Sequence, residues 1–160
     1  MRLTPNEVAY CLARTAIPAA EVVVGVAVAF AESRGDTEAL GYNETSGDPR
    51  ASGSYDCGLW QVNNYWHGNK FAQYNWRDPF DNAEMAYLAW VEGKRTWNPW
   101  STFKSGAYTK WMPAATIGVR NPREPIAFPE LPDLSPHVRQ FNVDLADLAR
   151  VLREIRAVYR

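Results

Sequence analysis

Residues 18–31 read PAAEVVVGVAVAFA, and this stretch limits the fold more than any other. Pro18 suits the start of a helix, and apolar side chains then fall on every side through Ala31. A helix apolar all round has no face to give to water, so other elements must wrap about it. The run is too short to cross a membrane. It also imitates the apolar part of a secretion signal, ending in the small-x-small pattern Ala29-Phe30-Ala31. Glu7 and Glu21 upstream, the interrupting Pro18 and the late start argue against a signal. A buried central helix over 18–31 is the expectation.

The chain's 160 residues suffice for one domain with an appended element. Thr4-Pro5-Asn6-Glu7 supplies an N-cap, a first-position Pro and the acid of a capping box, which predicts a helix from Pro5 to Arg14. Gly35 is placed to stop the central helix. Residues 35–58 carry six Gly or Pro among Ser, Asn and Asp, a pattern for antiparallel hairpins. Helical periodicity returns over 78–93, with Ala83, Ala86, Tyr87 and Trp90 on one face. After a TWNP loop, a further helical stretch is expected from Trp100 to Met112. Residues 113–136 are Pro-rich and read as an extended linker. Residues 137–160 read as an amphipathic helix striped by Phe141, Leu145, Leu148, Leu152 and Ile155. The expected organisation is thus a domain over 1–112, a linker over 113–136 and a C-terminal helix over 137–160. That stripe docks either on its own domain or on a partner.

Charge is nearly balanced, 17 basic against 18 acidic residues, and no basic stripe points to nucleic acid. Seven Trp and eight Tyr exceed what so small a core needs, so several should line a groove. Cys11 and Cys57 belong to no metal-ligating cluster. They read better as two buried thiols than as a pair, although sequence leaves pairing open.

Two carboxyl groups draw attention. Glu32 closes the apolar helix, where both the helix dipole and apolar surroundings disfavour an anion and so keep it protonated. Asp56 sits among turn residues in GSYDCGLWQVN (53–63), where amides and hydroxyls favour the ionised form. Taken singly, Glu32 reads as a last-turn residue paired with Arg34, and Asp56 as loop punctuation. Together, helix end followed by hairpin, they form an acid and a base or nucleophile whose proton affinities are pushed apart. Cleavage of a glycosidic bond needs that division.

The hairpin resembles the active-site hairpin of animal-type lysozymes, Gly-Ser-x-Asp-x-Gly-x-x-Gln-x-Asn, matched by Gly53, Ser54, Asp56, Gly58, Gln61 and Asn63. AESRGD is similar to the Glu-Ser step that closes the catalytic helix in lysozymes and soluble lytic transglycosylases. DPFDNAEMAYLAW resembles the later transglycosylase motif in which an Asn opens a helix beneath the catalytic Glu. Three departures stand out. The interval from Glu32 to Asp56 is long, which predicts an insertion around Asn43–Arg50. The disulfides of secreted animal lysozymes are missing. Phe103-Lys104-Ser105-Gly106 stands where transglycosylases carry Tyr-Asn-Ala-Gly, so any hydrogen bond orienting the acid must come from elsewhere.

The resemblance, covering roughly residues 20–112, implies a mostly helical α+β lysozyme-like fold with a small antiparallel hairpin beside a substrate groove. It implies a peptidoglycan muramidase cleaving β-1,4 bonds between N-acetylmuramic acid and N-acetylglucosamine. Glu32 is then the general acid and Asp56 the nucleophile or charge stabiliser. Gln61 and Asn63 would contact the acetamido sugar, and Trp66, Trp60, Trp100 or Trp97 would stack on rings, Trp66 foremost. For each Trp, core packing is an equal reading. No metal or organic cofactor is needed for this chemistry. His67 and His137 carry no partner pattern and are expected in solvent. Lytic transglycosylation is the alternative enzyme reading; a non-catalytic wall-binding or assembly module is the alternative outside enzymes. With neither signal peptide nor membrane segment expected, the enzyme would reach the wall by lysis, a dedicated export machine or carriage on a virion. Short lysozyme domains joined to helices by Pro-rich linkers resemble those of tail-associated wall-penetrating proteins. Residues 137–160 would then attach to a phage-tail or injection-machine protein.

Overall fold

Thr4 opens the first helix, α1 (Pro5–Ala13), through the capping box: its N–H and its hydroxyl both donate to the Glu7 carboxylate, at 2.7 and 2.8 Å. The apolar run forms α2 (Ala19–Ser33), with Val22, Val26, Ala27, Val28 and Ala29 buried in the core. It is the central helix expected of it. The stop falls on two residues: Arg34 (φ 56°) and Gly35 (φ 78°) are both left-handed, and the Arg34 N–H returns to the Phe30 carbonyl. The computed structural model describes residues 1–45 and 47–125.

A three-stranded antiparallel sheet follows: β1 (Leu40–Asn43), β2 (Ser54–Cys57) and β3 (Val62–Asn63), in that spatial order. Asp56 pairs with Gly41 on one side and Asn63 on the other, and Tyr42 pairs with Tyr55. Side chains alternate along a strand, so Asn43, Ser54, Asp56 and Asn63 share one face and the two tyrosines take the other. The β1–β2 connection is long and contains a 3₁₀ turn, Pro49–Ala51, at the end of the segment expected as an insertion. Gly58 (φ 77°) turns β2 toward β3; a Cβ there would overlap the Asn82 amide and the Trp76 carbonyl.

After the short helix α3 (Gly68–Phe71), Asp78 caps α4 (Pro79–Glu92) by accepting the Phe80 and Asp81 N–H groups. Ala83, Ala86 and Trp90 are buried and Tyr87 packs partly against the core, as the periodicity predicts. The buried Asn82 accepts the Trp60 N–H (3.1 Å) and donates to the Cys57 carbonyl (3.2 Å), which pins the β2–β3 turn to α4. Buried amides need such partners, and these two also fix the sheet against the helical body.

The stretch expected as one helix from Trp100 to Met112 is broken. The chain forms α5 (Ser101–Lys104), passes through a left-handed Gly106, then makes a 3₁₀ turn over Ala107–Trp111 and a further helix, α6 (Met112–Arg120). Residues 113–120, expected as the start of an extended linker, are therefore helical. Pro113 is the second residue of α6, where its missing N–H would have no intrahelical partner in any case. This helix packs on α1 and α2, and a Cβ on Gly118 would meet the Pro5 carbonyl carbon at 2.6 Å. Beyond it, the Arg123 N–H donates to the Asn6 carbonyl (3.1 Å). One compact unit spans Met1–Pro125. The rest of the expected linker and the helix expected over 137–160 lie outside the described residues.

Cys11 and Cys57 are both buried and free. Burial pushes their thiols up to about 12 and about 11, which leaves them inert as nucleophiles. Among the described residues, no helix is long and apolar enough to cross a membrane.

Candidate active site

Glu32, in the last turn of α2, and Asp56, in the middle of β2, line one groove of about 540 Å³. The apolar sequence that buries α2 also carries its final carboxyl into a poorly solvated position. Burial pushes the Glu32 carboxyl above its ordinary value, and the charge on Asp56 pushes it further in the same direction. Hydrogen bonds from Thr102, at the head of α5, act the other way. The Thr102 hydroxyl donates to Glu32 Oε1 at 2.6 Å. Thr102 directly precedes Phe103, the position at which the transglycosylase Tyr is missing. An orienting donor is thus present, one residue earlier and on a hydroxyl rather than a phenol. No ion pair joins Glu32 to Arg34 among the described residues, so the last-turn salt bridge does not form.

Asp56 is held from both sides by amides on the same sheet face. Asn43 Nδ2 donates to Oδ2 at 2.9 Å and Asn63 Nδ2 donates to Oδ1 at 2.7 Å. The neighbouring Ser54 hydroxyl receives both amides as well, at 3.4 and 2.9 Å. The carboxylate is therefore fixed in a strand, rather than resting in a turn as the isolated sequence suggests. Its partner Asn43 is invisible to motif reading, because it lies thirteen residues upstream across the inserted connection.

Asn63 and Gln61, expected to contact the sugar, both spend amide hydrogens on the hairpin. Asn63 uses both amide hydrogens on Asp56 and Ser54, and its Oδ1 accepts the N–H groups of Tyr65 (2.9 Å) and Trp66 (3.2 Å). That fills its two donors and two acceptor sites. Gln61 (φ 47°) uses Nε2 on the carbonyls of Ala39 (3.0 Å) and Gly58 (2.9 Å). Both line the groove, yet their amides organise the hairpin.

The tryptophans divide sharply. Trp66 is 50 % exposed and lines the groove. Trp60 is 0 % exposed, with its indole N–H on the Gly25 carbonyl (2.9 Å), so it has no face to offer a sugar. Trp97 is likewise core, its indole N–H bonded to Glu21. Trp100 is 6 % exposed; it contributes to the groove wall, but its N–H donates to the Trp60 carbonyl (2.6 Å) and its ring packs on Trp97 at 5.0 Å. An indole satisfies core and groove equally well in sequence, and only packing separates them.

His67 is not in open solvent. It lines the groove and is half-buried beside Lys70 and Glu92, with Nδ1 at 3.2 Å from Lys70 Nζ and 3.1 Å from Glu92 Oε2. Burial lowers its pKa, and the Lys70 charge lowers it further. Lys70 is buried and bonds both Glu92 oxygens at 2.7 Å. No sequence signal joins these residues. Among the described residues, no group of three or more His, Cys, Asp or Glu side chains is placed to hold a metal ion.

One groove thus brings together a carboxyl that burial biases toward its protonated form, a carboxylate held by two amides and an exposed indole. No curated protein and no solved structure matches the chain. Residues 11–102 match a family described as the lysozyme-like domain. The matched span exceeds half of the chain and holds the acid-bearing end of α2, the whole sheet, α4 and Thr102. On that match, and with the mostly helical α+β architecture around it, the chain belongs to the lysozyme-like domain family.

Proposed function

We propose that this protein is a peptidoglycan muramidase that hydrolyses the β-1,4 bond between N-acetylmuramic acid and N-acetylglucosamine. Family membership supports a cell-wall glycan-cleaving enzyme of the glycosidase or transglycosylase type. The observation that carries the finer reading is the pairing in one groove of Glu32, biased toward its protonated form, with an amide-clamped Asp56. Glu32 donates its proton to the departing glycosidic oxygen as the bond lengthens. Asp56 meets the positive charge that develops at the anomeric carbon, as nucleophile or as charge stabiliser, and water completes hydrolysis. Trp66 offers a flat apolar face to a sugar ring, and Asn63 holds both that turn and the carboxylate in register.

One observation favours a second reading, lytic transglycosylation: Thr102 supplies the orienting hydrogen bond to the acid that the absent tyrosine would otherwise give. In that reaction the sugar's own 6-hydroxyl replaces water. Mass spectrometry of digested peptidoglycan separates the two. Hydrolysis yields hydrated, reducing muramic ends, and transglycosylation yields 1,6-anhydro ends. Anhydro ends as the main product would overturn the muramidase reading. Release of no fragments by the wild type would favour a wall-binding module. Attachment of residues 137–160 to a phage-tail or injection-machine protein belongs to the same proposal, with a virion-associated or exported enzyme as its setting. A chain ending at Pro125 should then still cleave soluble wall fragments.

A further inference from the structure

The groove that holds the candidate catalytic pair is lined by carboxylates. Glu32, Asp56 and Glu92 face it, while Lys70, the cation nearest Glu92, is buried and bonded to both Glu92 oxygens. Glu32 is biased toward its protonated form and Lys70 balances Glu92, so it is the Asp56 carboxylate that repels an acidic substituent held beside it. A strand that carries carboxylates must therefore direct them away from the groove floor, toward its rim.

Arg50 stands at that rim. Its guanidinium lies over the Trp66 ring, 5.6 Å from the centroid, within cation–π range. The backbone beneath it is fixed. Asp48 accepts the Arg50 N–H at 3.0 Å and caps the 3₁₀ turn, Ala51 is buried, and Gly53 N–H closes the connection on the Asn43 carbonyl at 2.6 Å. The side chain is fixed as well, since Asp48 takes Nε at 3.0 Å and Nη2 at 2.6 Å. A guanidinium has five N–H donors in a planar fork. Asp48 engages the Nε edge, so the Nη1 hydrogens and the outer Nη2 hydrogen form a second fork directed away from it. With 71 % of the side chain exposed, that fork is open to a ligand. Asp48 thus orients the cation without occupying its outer edge.

We infer that Arg50 is a specificity residue that receives a carboxylate carried by the glycan whose ring stacks on Trp66, and so selects acidic over neutral β-1,4 glycans. The inference rests on the peptidoglycan reading and narrows it. Two sources offer the same chemistry: the lactyl group of muramic acid and the acidic residues of an attached peptide. The inserted β1–β2 connection then has a function, which is to carry an exposed cation to the rim of a groove that holds the Asp56 carboxylate.

The test uses the full chain bearing Glu32→Gln, which blocks turnover, and titration calorimetry at low ionic strength. Three ligands of matched length are compared: a neutral chito-oligosaccharide, peptide-stripped wall strands with free lactyl carboxylates, and strands that keep their peptides. One exposed ion pair predicts acidic strands binding about three- to fivefold more tightly than the neutral one. Adding Arg50→Gln, which keeps a planar polar end without charge, should erase that difference and leave neutral binding within about twofold. Arg50→Lys should restore part of it. Preference for stripped strands alone identifies the lactyl group, and preference for peptide-bearing strands alone identifies the peptide. Neutral and acidic strands bound equally, or a preference that survives Arg50→Gln, would overturn the role of Arg50 alone. Binding of none of the three would overturn the groove reading along with it.

Discussion

Asn63 joins the two halves of the candidate site, and replacing it should damage them separately. Its Nδ2 holds Asp56 at 2.7 Å, while its Oδ1 holds the backbone that presents Trp66 at 3.2 Å. A hydrogen bond to a charged group contributes roughly 1.5–3 kcal/mol, and a neutral one roughly 0.5–1.5 kcal/mol. Asn63→Ala removes both kinds. If Asp56 must be oriented to meet the developing charge, kcat should fall about tenfold to a hundredfold. Losing the anchors of Tyr65 and Trp66 should raise KM about three- to tenfold. Asn63→Asp separates the effects: its carboxylate still accepts the Tyr65 and Trp66 N–H groups, but places a like charge against Asp56. At neutral pH it should keep KM near wild type and lose more kcat than the alanine variant. The assay is release of reducing ends from soluble wall fragments, with circular dichroism melts to correct for folded fraction. A kcat for Asn63→Ala within twofold of wild type would refute the idea that the amide clamp positions Asp56.

Three further outcomes follow from other parts of the molecule. The Glu32 carboxyl is raised by burial, so the folded state binds its proton more tightly than the unfolded chain does, and stability falls as pH rises from the ordinary carboxyl value through the folded one. Glu32→Gln should therefore melt higher than wild type at neutral pH, with the difference vanishing in acid; an equal gain at all pH values would contradict burial as the cause. Thr102→Val removes a donor that favours the ionised acid, so the alkaline limb of the pH–activity profile should move to higher pH, whereas an unmoved limb would exclude Thr102 from tuning the acid. Gly118→Ala places a Cβ against the Pro5 backbone and should lower Tm by about 5–10 °C; no change or a gain would mean that α6 is not docked there.

How much of this is legible in the sequence depends on the range of the interactions involved. α2 is readable because an all-apolar helix has one stable environment, and its terminal Glu32 follows from that burial. The capping box of α1 is local and equally plain. Thr102 is not, because a hydroxyl seventy residues from the acid carries no pattern until α5 is laid beside α2. Asn43 is hidden for a similar reason: it reaches Asp56 through strand pairing across an inserted connection. The Lys70–Glu92–His67 group also depends on packing, since α3 and the end of α4 meet only in the fold. Pro113 misleads in the opposite direction. Proline density reads as linker, yet a proline in the first turn of a helix removes no hydrogen bond, and α6 begins there.

These differences share one cause, and it bears on the choice between water and an internal hydroxyl as the attacking group. Motif reading finds the two acids but not the side chains that hold them. The acid can be oriented by a tyrosine or by Thr102, so the absence of the tyrosine decides little. The carboxylate is more discriminating. A bond cleaved with capture by the substrate's own hydroxyl has no need of a second carboxylate on the sheet, whereas this sheet devotes Asn43 and Asn63 to holding one. Holding an anion in place with two amides favours a group that must meet positive charge in a fixed geometry. Asp56→Asn is therefore the sharper discriminator than any variant of the acid. For a hydrolase it should lower kcat at least a hundredfold while glycan binding persists. For a transglycosylase, cleavage should continue within a fewfold of wild type, with anhydro ends among the products, and that result would return the choice to the second reading.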